Sequence, residues 1–174
     1  NILMKYDAID VSFFIENRKR LAKRLKPNSI AIFTANPIMP KSADASYKWR
    51  QNPDLFYLTG VDQEETYLVM YPDATQANWR EILFVRETNE YIAVWEGEKL
   101  SKEQAKNVSG IAQIHWSSSF DSMLATLILQ AENIYLNLNE NDRAGESSLN
   151  GELHFAKQLK ARFPLHHYER LAPI

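Results

Sequence analysis

The chain has 174 residues, 45% of them hydrophobic and 24% charged, and a formal net charge of −2. That is long enough for one domain with a sizeable core, and the near-neutral balance gives no electrostatic case for nucleic acid or an anionic membrane. No apolar run approaches the roughly 20 residues of a membrane span, no secretory signal is visible, and zero cysteines exclude disulfides and thiolate metal sites and fit a cytoplasmic location.

The first predicted element is a helix capped by Ser12 and running to about Leu25. Phe14, Leu21 and Leu25 fall on one face, and Arg18, Lys19, Arg20, Lys23 and Arg24 form a basic outer side that reads as a solvated face. Ile30–Thr34 is a short apolar run expected to be a buried strand, and Asn36–Asp44, with two prolines, reads as loop. Leu55–Thr59, Tyr67–Tyr71 and Ile82–Val85 are expected as strands, neighbours in one sheet because their connections are short.

The second half repeats the alternation. Ser101 and Gln104 have the spacing of a capping box, and Gly110 suits the position just past the end of that helix. Ala112–Trp116 is strand-like. Ser117, Ser118 and Ser119 offer N-caps to a helix over Phe120–Gln130, with Leu124, Leu127 and Ile128 as its apolar stripe. Ile134–Leu138 alternates like a half-buried strand, Asn139–Asn150 is polar loop, and Leu153–Phe163 is a last helix with Leu153, Ala156, Leu159 and Phe163 on one side. The alternation implies a single α/β domain over residues 1–174, three layers around a mixed β-sheet.

Catalytic motifs are mostly missing. Five glycines form no phosphate-binding loop and no nucleophile elbow, and there is no His-Glu-x-x-His. The histidines at 115, 154, 166 and 167 lack ligand spacing and read as structural or surface residues. The acidic pairs Glu64-Glu65 and Glu140-x-Asp142 read as solvated loop acids. Tyr47, Trp49, Phe56, Tyr57 and Tyr67 read as core aromatics. Spacing alone favours core packing for Trp95 as well, but it stands just before a Glu-Gly-Glu-Lys turn, where a large ring is expected to be partly exposed and free for a contact.

The most specific stretch is Ser42-Ala-Asp, followed by Tyr47, Arg50-Gln-Asn, Asp54 and Phe56-Tyr-Leu-Thr-Gly60. It resembles the N-terminal domain of the Xaa-Pro aminopeptidases (aminopeptidase P) of the creatinase/prolidase superfamily. A second matching piece is Trp95-x-Gly97-x-x-Leu100, and the order of elements matches over nearly the whole chain. The resemblance implies a ribonuclease-H-like topology. It also implies that Trp95 reaches toward the active site of a neighbouring subunit in a homo-oligomer and that Asp44 lies near the same site. The family places an arginine near the end of this domain; Arg170 is close in sequence, and His167 stands nearer the aligned position.

By the same resemblance no residue of this chain is catalytic and none binds metal. Two Mn ions, held by two Asp, one His and two Glu, belong to a C-terminal pita-bread catalytic domain that this chain is expected to lack. The substrates would be peptides with proline at the second position. Two other readings stand beside this one: a stand-alone binding domain of the same fold, as in some histone chaperones, and the N-terminal domain of a prolidase or creatinase relative.

Overall fold

A computed structural model describes residues 9–38, 40–42, 45–46, 48–137, 146–171 and 173–174. The first helix, α1 (Val11–Ala22), is capped by Asp10, whose carboxylate accepts the Ser12 amide at 2.8 Å; Ser12 is therefore inside the helix and is not its cap. Then come β1 (Ser29–Thr34) and a small ribbon of β2 (Pro40–Ser42) and β3 (Ala45–Ser46), within and just beyond a stretch expected to be wholly loop.

The largest correction concerns residues 53–59. They form a helix, α2 (Pro53–Thr59), where a strand was expected. The cause is local. Asn52 Oδ1 accepts the amides of Asp54 and Leu55, Pro53 occupies the first turn where its missing N–H costs nothing, and Gly60 ends the helix at φ +70°. Leu55 and Leu58, three apart, then share the buried face.

The chain continues through β4 (Tyr67–Met70), β5 (Glu81–Val85), α3 (Glu90–Glu96) and α4 (Lys102–Ser109). It ends with β6 (Gln113–Trp116), α5 (Phe120–Ile128), β7 (Asn133–Leu136), α6 (Glu146–Arg162) and β8 (His167–Arg170). The capping box holds: Ser101 accepts the Gln104 amide, Gln104 accepts the Ser101 amide, and Gly110 is left-handed. The serines before α5 form a 3-10 turn, and no serine side chain caps the helix. Helix α6 begins at Glu146, inside the expected loop, and Leu153 lies exposed to one side of the face that buries Ala156 and Leu159.

Among the described residues six strands form one mixed sheet in the order β6-β5-β4-β1-β7-β8, in which only β4 runs against the rest. The expected neighbours Tyr67–Tyr71 and Ile82–Val85 do pair, antiparallel, with Leu68 opposite Leu83. β7 is buried at Ile134, Tyr135 and Leu136, so it does not alternate. It is a parallel strand covered on both faces. Strand β8 was not anticipated; its sequence, His-Tyr-Glu-Arg, is that of a half-exposed edge.

Side chains alternate across this sheet into two cores. Ile30, Ile32, Phe84 and Ile134 face α5 and α6. Ala31, Phe33, Leu68, Leu83 and Val85 face the other way, toward Leu55 and Leu58 of α2 and Ala105 of α4. The result is the expected three-layer α/β domain.

Arg18 does not belong to the basic outer side. It is 1% exposed, because it follows Phe14 by four residues on the inner face of α1. Its Nη1 donates to the Leu58 carbonyl at 2.8 Å, and its Nε lies 3.3 Å from Glu81 Oε1.

Candidate functional site

Because all strands but β4 run the same way, the segments that follow β1 and β5 and precede β4 gather at one end of the sheet. Most of the sequence-specific run 48–60 that the structure describes is used up in building this end. Trp49 donates from its indole N–H to Asn36 O at 2.8 Å, and Asn36 donates to Arg50 O. Gln51 Nε2 donates to the carbonyls of Val61 and Gln63, both at 2.9 Å. Asn52 caps α2 and also accepts from Asn137. These side chains hold backbone in place.

Helix α3 leaves the same end. The Asn89 side chain accepts the Ile92 amide at 2.8 Å, and Gly97 follows the last turn at φ +84°. No residue of α3 is buried; Tyr91, Val94 and Trp95 are 74%, 78% and 76% exposed. The sequence anticipated an accessible Trp95 but missed the helix that presents it. Three large apolar side chains on seven residues are thus offered to solvent.

Four charges lie at the root of α3. Arg86, the first residue after β5, reaches Glu96 Oε2 with Nη2 at 2.7 Å and Glu64 Oε1 with Nη1 at 3.6 Å. Lys99 Nζ donates to the same Glu64 oxygen at 2.6 Å. Burial alone would raise the Glu64 pKa. The Lys99 hydrogen bond, the residue's own backbone amide and the two cations outweigh burial and hold it below the ordinary carboxylate value. Glu64 is therefore paired rather than simply solvated. Sequence reasoning did not find Arg86 or Glu64; nothing local distinguishes them from surface charges.

The remaining expected residues are dispersed. Asp44 and Tyr47 lie outside the described residues, as does the acidic run 140–142. Arg170 closes β8 at the same end of the sheet as α3, and His167 opens β8 at the other end. β5 and β8 are four strands apart, about 19 Å at the usual strand spacing, so the domain does not draw Arg170 and α3 together. His115 is half-buried beside Phe84, and burial and Lys102 depress its pKa, which keeps it neutral near pH 7. His166 Nε2 is 2.8 Å from Ile128 O, while His154 and His167 are exposed. Among the described residues no three of His, Asp and Glu converge as metal ligands, so nothing there fits a manganese pair, and no helix is long and apolar enough to cross a membrane.

Relatives give this geometry a context. Residues 14–135 match the family model for the aminopeptidase P N-terminal domain. The chain is 29% identical over 122 residues to the Escherichia coli Xaa-Pro aminopeptidase, covering 70% of this chain and 27% of that protein. It is 28% identical over 120 residues to intermediate cleaving peptidase 55 of Schizosaccharomyces pombe, covering 69% of this chain and 25% of that one. A Bacillus anthracis structure assigned to aminopeptidase P superposes with a TM-score of 0.83 at 27% identity, covering 95% of this chain and 39% of that one. Pseudomonas aeruginosa aminopeptidase PepP superposes at 0.71 with 26% identity, covering 95% and 36%. The chain thus spans about a quarter of the length of these curated relatives. It belongs to the aminopeptidase P N-terminal domain family.

Proposed function

We propose that the chain is the non-catalytic N-terminal domain of a manganese-dependent Xaa-Pro aminopeptidase. The parent would hydrolyse the bond between an N-terminal residue and a following proline, whose tertiary amide has no N–H to offer a binding site. The two Mn ions belong to a C-terminal catalytic domain, which is this domain's partner. The present domain contributes to a homo-oligomer and to the active-site entrance, with Trp95 and Asp44 lining a neighbouring subunit's substrate pocket. A cysteine-free chain suits a cytoplasmic enzyme; a relative in Arabidopsis thaliana is mitochondrial, and localisation of the tagged parent would decide.

The observation that carries this reading is Trp95, 76% exposed on a helix that buries nothing. A rigid ring placed there can close a pocket and exclude water at little entropic cost. In the full-length peptidase, Trp95→Ala should lower kcat/KM by about 5- to 150-fold, the scale of one apolar pocket contact. The purified 174-residue chain should not cleave an Xaa-Pro peptide in the presence of Mn²⁺. An unchanged kcat/KM in the variant, or Mn-dependent cleavage by the chain alone, would sink the proposal.

A further inference from the structure

Helix α3 presents Trp95, yet no residue of α3 belongs to either core cluster. Beyond Leu100, whose side chain packs against the second core three residues past Gly97, what ties its C-terminal end to the sheet is polar. Arg86 grips Glu96 at 2.7 Å and Glu64 at 3.6 Å, Lys99 grips Glu64 at 2.6 Å, and the Leu100 amide donates to Gln63 Oε1 at 2.9 Å. Glu96 is the last residue of α3, and Glu64 stands on the segment that enters β4. One guanidinium therefore joins the end of the helix to a fixed point on the body of the domain.

The chemistry suits this task. A planar guanidinium has five donors and can serve two carboxylates at once; an ammonium on a flexible stem holds its geometry less well. The four groups sum to zero charge, so the half-buried cluster leaves no unpaired ion. A short helix held this way sits at the low end of the molecule's local stabilities, so its anchor can be removed without unfolding the sheet.

We propose that Arg86 is a positioning residue. Together with Glu64 it sets the orientation of α3, and hence the place of Trp95, by a charge clamp between the exit of β5 and the end of the helix. The consequence for a substrate pocket rests on the reading of Trp95 given above; the clamp does not.

The test is amide hydrogen exchange, read by NMR on the 174-residue chain. Arg86→Gln should speed exchange over residues 93–97 by about fivefold to tenfold, the size expected for losing two half-exposed ion pairs. Exchange in α4 and β4 should stay as it was, and Arg86→Lys should recover part of the loss. Raising NaCl from about 20 mM to about 500 mM should loosen α3 in the unmodified chain and have a much smaller effect in Arg86→Gln, where only the Lys99–Glu64 pair is left to screen. Unchanged α3 exchange in Arg86→Gln would overturn the proposal. So would a uniform rise across the domain, which would make Arg86 an ordinary structural residue, or a salt response as large in Arg86→Gln as in the unmodified chain. If Trp95→Ala leaves the full-length peptidase unaffected while these exchange results hold, the pocket reading fails and the clamp stands.

Discussion

Helices α2 and α3 are built on one plan and end up with opposite characters. Each has seven residues, each is capped by an asparagine side chain (Asn52, Asn89), and each stops at a glycine with positive φ (Gly60, Gly97). Each is also gripped by an arginine from elsewhere in the chain: Arg18 holds the Leu58 carbonyl at 2.8 Å, and Arg86 holds the Glu96 carboxylate at 2.7 Å. Yet α2 buries Leu55, Leu58 and Thr59, and α3 buries nothing. Caps and terminators thus decide that a helix forms. Whether its apolar residues serve the core or face outward depends on what lies beside it.

The comparison can be broken most forcefully at the apolar residues. Leu55 is fully buried and Val94 is 78% exposed. Leu55→Ala should cost about 2–5 kcal/mol in urea unfolding, and Val94→Ala should stay within about 0.5 kcal/mol, as surface substitutions do. Equal costs would mean that α3 packs as α2 does.

The glycines give the next largest contrast. A Cβ on Gly60 would lie 2.5 Å from the ring of Phe14, a buried residue, whereas one on Gly97 would meet nothing within 4 Å. Both positions have positive φ, but in different regions: Gly60, at ψ 6°, is left-handed, where alanine costs about 1–2 kcal/mol, and Gly97, at ψ 168°, is extended in a region essentially reserved for glycine, where the cost is about 1–3 kcal/mol. Gly60→Ala adds to that cost the displacement of an aromatic ring, about 1–3 kcal/mol more. Thermal or urea unfolding should show the ring contribution as the part of the Gly60→Ala loss that shrinks in a Phe14→Leu background, while the Gly97→Ala loss, which involves no such contact, is unchanged there.

Acid sharpens the comparison at α3, where a paired carboxylate lies at the root of the helix. The Glu64 carboxyl is held below its ordinary value of 4.5 despite burial, by Lys99, its own amide and Arg86. A carboxylate whose folded pKa is depressed stabilises the fold fully above its unfolded value. That contribution fades as pH falls from there through the folded pKa. NMR shifts of residues 93–97 should therefore titrate below about pH 4.5. Glu64→Gln should remove the larger part of the response, and an identical titration in that variant would contradict the assignment.

The smallest expected effect is on the stability of Trp95→Ala, within about 0.5 kcal/mol by urea unfolding, because the ring is 76% exposed. A loss of about 3–5 kcal/mol would mark it as a packing residue.

Much of the chain declares itself locally. The capping box at Ser101 and Gln104, the left-handed Gly110 and the strands around Ile30–Thr34, Tyr67–Tyr71 and Ile82–Val85 follow from neighbouring residues alone, and the motif from Ser42 to Gly60 led to the family. Other features needed the assembled sheet. Arg18 looked like one of five surface cations until packing turned its face of α1 onto α2 and Glu81. The aromatic run after Asn52 suggested a strand by composition, although its cap, its Pro53 and its Gly60 were already helix signals. Strand β8 has too little apolar content to announce itself and exists because β7 offers it an open edge. The clamp at Arg86 joins residues 64, 86, 96 and 99 from three separate segments. Local propensity acts over a turn or two of chain, so the sequence by itself determined the elements and their ends. Burial and ion pairing depend on which elements meet, and only the tertiary structure decided those.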